Sequence, residues 1–550
     1  MMRWSNTSET LPAQSGKDEL LLRMLEKRGF AAGTAQESFL HPRLSDLGNP
    51  EGIPGMPDAV ELLAQVISKK GKVLIFSDYD VDGIVSAAVM KIFLTALGLS
   101  SVRVFLPDRK QEGYGLTLAA LQRAREGGVT PDLFIALDCG TNSHAEITQL
   151  KAAGIVVLVV DHHQLSDPRP PADALVNPQK GTEDHHFCTA GLVFKVCHAY
   201  LRAKGGRDQF DLREVLDLVA LATVADLVPL KADNRIFVRE GLKRLSQTVH
   251  PGLKRLMEVS GSLKRTPTSF TLGFQLGPRI NAGGRVGDAS SGLDLLLSHD
   301  PTETAQLARE LDLQNRKRQE LEAIALGEAE EQIGDAPTGL GLVAASDRWH
   351  PGVVGIVASR LVRKFHRPSF VIALTDAGEG KGSGRSLPGL SLMDALRACA
   401  PCLKGFGGHE AAAGIVIQAD RVSEFRELLQ AWIEKHVALD VFEKTLSIEM
   451  QLLPEHLTAE MARGIAEMAP FGKGNPEPIF RLDGVSLAGA PKVFAERHLK
   501  FRAKVGEKRF EVVGFDFAGR SPDRSVFNLA GSWEWDEYTD GPRWRMTDWQ

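Results

Sequence analysis

The order of three short apolar runs constrains this chain more than any other feature. Val73-Leu-Ile-Phe76, Leu133-Phe-Ile-Ala-Leu137 and Ile155-Val-Val-Leu-Val-Val160 are strand-sized and continuously apolar. Helix-favouring stretches at 84–97, 116–125 and 145–153 lie between and beside them, and a further short strand is expected at 103–106. Strands that alternate with helices build a parallel sheet. Such a sheet is covered on both faces, so its strands need no polar alternation. This part of the chain is therefore α/β.

In an open parallel sheet, ligands bind beyond the carboxyl ends of the strands. The first run leads into Ser77-Asp-Tyr-Asp-Val-Asp-Gly83, the second into Asp138-Cys-Gly140 and the third into Asp161-His-His163. Each has an ordinary explanation by itself, since Asp-rich turns cap helices and Asp-Cys-Gly makes a turn. Together they bring carboxylates and imidazoles to one sheet edge, where like charges repel unless a cation sits between them. Carboxylate oxygens suit Mg2+ and Mn2+, and Mn2+ also accepts imidazole. A second Asp-His-His, at Asp184-His-His186, follows Gly181-Thr-Glu instead of a strand and reads as a surface loop.

At 550 residues the chain should hold two to four domains of ~100–200 residues. The expected segments are an arm at 1–50 with a helix at 19–28, and the α/β unit at 51–265, mostly helical over 191–260. A connecting segment at 266–330 ends in a long charged linking helix at 305–329. A second α/β unit at 331–440 has strands at 340–345 and 370–374 around a helix at 354–365, and closes with Gly405-Phe-Gly-Gly-His409. A small β-barrel at 441–550 has strands at 499–505, 509–517 and 525–533. The net charge of −5 means that any nucleic-acid contact must come from local basic patches. Five cysteines are too few for a disulfide framework and fit a reducing cytosol. Cys399-Ala-Pro-Cys402 reads as two ordinary thiols at a helix end. Residues 1–17 are polar and carry no secretory signal, and no apolar run approaches the ~20 residues of a membrane span. A cytoplasmic protein is expected.

The motifs Asp78-Tyr-Asp-Val-Asp-Gly83, Leu137-Asp-Cys-Gly140, Asp161-His-His163 and Val224-Ala-Asp226 resemble, in order, the four motifs of the DHH phosphoesterases. Gly405-Phe-Gly-Gly-His409 resembles the signature of their associated DHHA1 domain. Within that superfamily the chain is most similar to bacterial single-strand-specific exonucleases. Further matching segments are Gly277-Pro-Arg-Ile-Asn-Ala-Gly-Gly-Arg285, Trp349-His-Pro-Gly-Val-Val-Gly355, Gly382-Ser-Gly-Arg-Ser386 and Pro470-Phe-Gly-Lys-Gly-Asn-Pro-Glu-Pro478. The resemblance covers about 50–480 and is looser over the last part, which resembles an OB-fold.

The resemblance implies two ions, Mn2+ or Mg2+, ~3.5–4 Å apart. Asp138 would bridge them, with Asp78 and Asp80 on one side, Asp82, His162 and Asp226 on the other, and His163, beside Asp161, facing the scissile phosphate. Many smaller members have a metal-binding histidine where this chain has Phe76, so either the first ion is held less tightly or Asp78 compensates. In the second α/β unit Gly407, Gly408 and His409 would approach the DNA backbone. Ser383 and Arg385, in a glycine-rich loop, would join Arg109 in a pocket for a 5′ phosphate. Arg279, Asn281 and Arg285 would line the strand's path, Tyr114 would stack on a base, and Lys500, Arg502 and Trp533 would extend the path onto the barrel. The implied activity is 5′-to-3′ degradation of single-stranded DNA to mononucleotides in repair and recombination. Its implied setting is a monomer working with a single-strand-binding protein and a RecQ-type helicase, away from membranes. Two rivals are weighed. Small-molecule or oligonucleotide phosphoesterases of the superfamily are much shorter chains, and non-catalytic replication scaffolds lose metal ligands that this chain keeps.

Overall fold

The computed structural model describes the chain apart from residues 1, 6–8, 109–111, 114, 127–129, 181–185 and 523. It divides into two compact units, one of 6–312 with 447–550 and one of 2–5 with 313–446. The expected sites Arg109 and Tyr114, and most of the Asp184 motif, lie outside the described residues.

In the first unit the apolar runs form a five-stranded, all-parallel sheet. Its order is Val102–Phe105, Val73–Ser77, Leu133–Leu137, Val156–Val160 and Ala174–Val176. The last of these strands had no sequence expectation. Every residue of Val73–Ser77 and Leu133–Leu137 is buried. Alternate residues serve opposite faces, as the two-residue period of a strand requires. Val73, Ile75, Leu133, Ile135 and Leu158 join a core with the helices Val81–Ala96, Thr189–Lys204 and Leu216–Ala225. Leu74, Phe76, Phe134 and Val157 join the opposite core with Leu118–Arg125 and His144–Ala152. Phe76 is wholly buried and its ring stacks on Phe105 at 5.5 Å, so it belongs to the packing of that second face. The chain leaves Val73–Ser77 for one neighbour and then crosses to the other side. Connections thus diverge between Val73–Ser77 and Leu133–Leu137, the place where such sheets bind ligands.

The C-terminal part of this unit closes into a five-stranded barrel, Phe480–Leu487, Phe527–Asp536, Gly541–Trp549, Lys508–Gly514 and His498–Val505, with the first strand pairing the last. Its interior corrects one expectation: Trp533 is buried against Phe510 and Trp544, and its Nε1 donates to Thr458 O at 2.8 Å. It cannot stack on a base. Lys500 pairs with Glu511 at 2.7 Å, and Arg502 is exposed. The N-terminal helix Lys17–Lys27 buries Leu20, Leu21, Met24 and Leu25 in the barrel's core.

One buried side chain ties these parts together. Arg235, on the helix Ala232–Leu245, is 2% exposed and stacks at 3.7 Å over Phe39. Its guanidinium donates to Phe39 O at 2.8 Å, Met468 O at 3.0 Å and Ala469 O at 2.9 Å. Five fixed donors suit it to such a cluster of carbonyls.

A 33-residue helix, Pro301–Ile333, carries the chain into the second unit. That unit's sheet has the order Leu403–Gly408, Ala412–Gln418, Glu379–Arg385, Ser369–Leu374 and Leu342–Ser346, with only the last pair parallel. The segment expected as a glycine-rich loop around Ser383 is a strand. Gly380, Gly382 and Gly384 recur at the strand period, and a Cβ at Gly384 would lie 2.3 Å from the Phe370 ring. The glycines make room for the neighbouring strands' large side chains, which is why the segment lacks an apolar strand signature.

Arg235→Leu removes the donors but not the buried carbonyls. It should cost roughly 2–4 kcal/mol, read as a lower urea midpoint, and should speed tryptic cleavage after Arg28. Wild-type values for both would show that the guanidinium does not hold these segments.

Candidate metal centre

The acidic loop after Val73–Ser77 is built tightly. Asp80 caps the helix Val81–Ala96, its Oδ1 accepting from Gly83 N at 3.1 Å. The capping explanation of this aspartate is thus correct, and it leaves the second oxygen for the site. A Cβ at Gly83 would stand 2.3 Å from Asp78 O, so only glycine lets the loop fold this closely onto the helix. Ser77 Oγ donates to Gly83 O at 2.7 Å, and Asn281 Oδ1 accepts from Val81 N at 3.2 Å. Asn281, expected to touch substrate, braces this loop. Asp138 follows the next strand with φ 60°, a left-handed conformation that is costly for an aspartate and is found where surroundings enforce it.

These loops and the Asp161 turn converge. Three groups have ligand atoms within 4.8 Å of one another: Asp78, Asp80 and Asp138; Asp82, His162 and Asp226; and Asp138, His162 and His163. His162 Nε2 lies 3.4 Å from Asp138 Oδ1 and 4.0 Å from Asp82 Oδ2, and its Nδ1 lies 3.8 Å from Asp226 Oδ2. Asp226 arrives at the C-cap of the helix Leu216–Ala225.

Burial and crowding act on Asp82, Asp138 and Asp226. Burial first, then the charges of Asp82, Asp80, Asp78 and Asp226, pushes the Asp138 carboxyl well above the usual range. Asp226 is pushed up to about 8 by burial and then by Asp82 and Asp80, against His163 and Lys473. Asp226 Oδ2 is buried with no hydrogen-bond partner. An oxygen in that state, among carboxylates and one imidazole, suits a hard divalent cation, and the residues fit such ions.

The two adjacent histidines are driven apart. Burial lowers His162 against the pull of Asp82, which favours the neutral imidazole that a metal takes. Burial also works against protonation of His163, but its Nδ1 sits 2.7 Å from Asp161 Oδ1, and that bond and charge raise it to about 9. Asp161 is buried and accepts from Thr141 N at 3.0 Å and His162 N at 2.8 Å. Despite burial, the bond and charge of His163 hold its carboxyl far below the usual range. Asp161 thus positions the His163 ring and favours its protonated form.

Three supports were missed by sequence reasoning. Thr189 N and Ala190 N, at the start of the helix Thr189–Lys204, donate to Asp82 Oδ2 at 2.6 Å and Oδ1 at 2.8 Å, while Thr189 Oγ1 donates to Asp138 Oδ1 at 2.9 Å. A Cys-Thr-Ala-Gly before an apolar helical run was the available signal. Asn177 Nδ2 donates to His163 O at 2.9 Å. Lys473 belongs to the Pro470-Phe-Gly-Lys segment, and its carbonyl accepts from Leu230 N at 2.7 Å.

The substrate candidates are dispersed. Arg279 pairs with Asp312 at 2.9 Å, and Arg285 lies half-buried on Gly277–Val286. In the second unit Arg385 Nη1 donates to Ser383 Oγ at 2.9 Å. Both side chains flank Gly355 at the start of the helix Val354–Phe365, where a Cβ would stand 3.0 Å from each. Gly407, Gly408 and His409 are exposed at one end of Leu403–Gly408, and His409 N donates to Ala412 O at 2.8 Å.

Comparison with known proteins agrees with this geometry. The model of the DHH family N-terminal domain matches residues 72–223, that of the DHHA1 domain 339–435 and that of the RecJ OB domain 448–547. The single-stranded-DNA-specific exonuclease RecJ of Dickeya dadantii is 36% identical, over 90% of this chain and 87% of its own. That of Escherichia coli is 35% identical over 91% and 89%. That of Bacillus subtilis is 34% identical over 94% of this chain, which spans 66% of that relative. The crystal structure of RecJ in complex with Mn2+ from Thermus thermophilus superposes with a TM-score of 0.83 at 29% identity, over all of this chain and 79% of that one. The likeness extends over all three domains, and the chain belongs to the RecJ family of single-stranded-DNA-specific exonucleases.

Proposed function

We propose that this protein is a metal-dependent exonuclease that degrades single-stranded DNA from its 5′ end to mononucleotides. The observation that carries the reading is Asp138, which stands between the Asp78–Asp80 pair and the Asp82–His162–Asp226 group. Asp138 would be shared by two ions, with Asp78 and Asp80 completing one site and Asp82, His162 and Asp226 the other. Mn2+ or Mg2+ held there would acidify a bound water and neutralise charge on the departing oxygen.

The chain's own groups do the rest. Thr189 and the two helix N–H groups orient Asp82 and Asp138 before any ion or substrate binds. His163, held by Asp161, would donate to a non-bridging phosphoryl oxygen. Hydrolysis adds water across one P–O bond, and the chain supplies charge and position for it. Ser383 and Arg385 at a helix start make an anion site suited to a terminal phosphate, which gives polarity because only a free end carries one. Exposed His409 and the Gly407–Gly408 backbone are assigned to the phosphate chain, as are Arg279 and Arg285 beside the bracing Asn281, with Arg109 at the 5′ end by resemblance and Tyr114 stacked on a base. No described helix is long and apolar enough to cross a membrane. The same resemblance supports a cytoplasmic monomer acting in repair and recombination with a single-strand-binding protein and a RecQ-type helicase. The presence of Asp80, Asp82, Asp138, His162 and Asp226 argues against the scaffold reading.

Asp138→Asn should lower nuclease activity by more than about a hundredfold. The same change relieves repulsion in the metal-free protein, so its melting temperature should rise by about 2–4 °C, while Mn2+ should stabilise the wild type and not the variant. Retained nuclease activity would sink the metal-centre assignment. A bulky adduct on the 5′ end should protect a single strand, and the same adduct on the 3′ end should not. The opposite pattern would remove the terminal-phosphate role of Ser383 and Arg385.

A further inference from the structure

Two large aromatic rings stand in the open on a turn that packs against the helix leading to Asp226. Phe270 and Phe274 are 60% and 66% exposed, and their rings stack at 5.1 Å with 21° between planes. Phe270 caps the π-helical turn Thr271–Leu276, and Phe274 lies within it. Such i→i+5 turns are rare and recur at functional sites. The same turn packs on the helix that ends at Asp226: a Cβ at Gly273 would stand 3.2 Å from Val224 Cγ1, and one at Gly277 would stand 3.5 Å from Ala225 Cβ. Leu227, directly after the metal-binding aspartate, is itself 65% exposed. Downstream, the helix Gly277–Val286 braces the acidic loop through Asn281. Upstream, exposed Lys264 and Arg265 enter the turn.

An exposed, pre-stacked aromatic pair is costly for a soluble surface, and nothing in folding requires it, since the buried residues of this turn are Thr271, Leu272 and Leu276. Its occupant should be flat, apolar on its faces and joined to negative charge. Unpaired nucleobases have those properties, with phosphates for the neighbouring cations. We propose that Phe270 and Phe274 form a stacking platform for bases of the single strand whose backbone reaches the Asp226 side of the metal centre. The proposal rests on the nuclease reading and names the part of the protein that grips bases instead of phosphates. Stacking is indifferent to base identity, as a degradative enzyme needs.

The test is binding of a short 5′-labelled oligothymidine without added metal, by wild type and by Phe270→Ser/Phe274→Ser, with abasic sites placed at successive positions. Each lost stacked base is expected to weaken binding roughly tenfold, with an unchanged dependence on salt because no phosphate contact is removed. Wild type should be sensitive to an abasic site at one or two positions, and the double variant should not. Phe270→Trp should keep wild-type affinity. Equal binding by wild type and the double variant overturns the platform. So does a loss in the double variant that is the same for intact and abasic strands, or a wild-type dimer that the double variant dissolves. Adding Mn2+ to the same complexes tests the nuclease reading separately: binding without cutting by wild type would defeat that reading and leave the platform intact.

Discussion

Mutual repulsion among buried carboxylates is the constraint around which the first unit is organised. Asp78, Asp80, Asp82, Asp138 and Asp226 converge from three loops, and several are fully desolvated. Such a cluster is unfavourable until a cation enters it, so the protein has to hold it together by other means. The parallel sheet provides the anchor, because its carboxyl ends point the loops one way and its two apolar cores fix the strands. The braces are polar and local: a helix start under Asp82, Asn281 under the acidic loop, and Ser77 between two strand ends. Strain at Asp138 is one cost of the arrangement.

The same environment gives neighbouring residues opposite tasks. His162 and His163 are consecutive, yet one faces carboxylates through a desolvated ring while the other is clamped by the buried Asp161. A ligand needs a free lone pair and a phosphate donor needs a proton. The fold provides both without changing residue type.

Much of this was legible in the sequence, for identifiable reasons. An Asp or His after an apolar strand must lie on a sheet edge, so Asp78, Asp138 and Asp161 could be assigned to one place before any coordinates. Phe76 read as a gap in the ligand set, and the sheet period explains it as a packing residue on the far face. Backbone donors such as Ala190 N carry no side-chain signature, and the charge of Lys473 acts on Asp226 from a distant segment whose carbonyl is bonded to Leu230 N. Neither follows from spacing. Trp533 was misread because an aromatic in a barrel strand points inward or outward according to register, and the register was not known. The glycine strand through Ser383 concealed itself because its large partners reside on neighbouring strands.

The buried guanidinium of Arg235 also sets a timetable. One of its acceptors, the carbonyl of Met468, lies 233 residues further along the chain. On the ribosome the α/β core and its four acidic motifs emerge long before that acceptor exists. Until then the charge lacks part of its cage, and the segment bearing Lys473 is still unmade. A half-synthesised chain therefore presents the motifs without the finished enclosure. The enclosure of the acidic motifs is completed only once the segment bearing Met468 and Lys473 has been made.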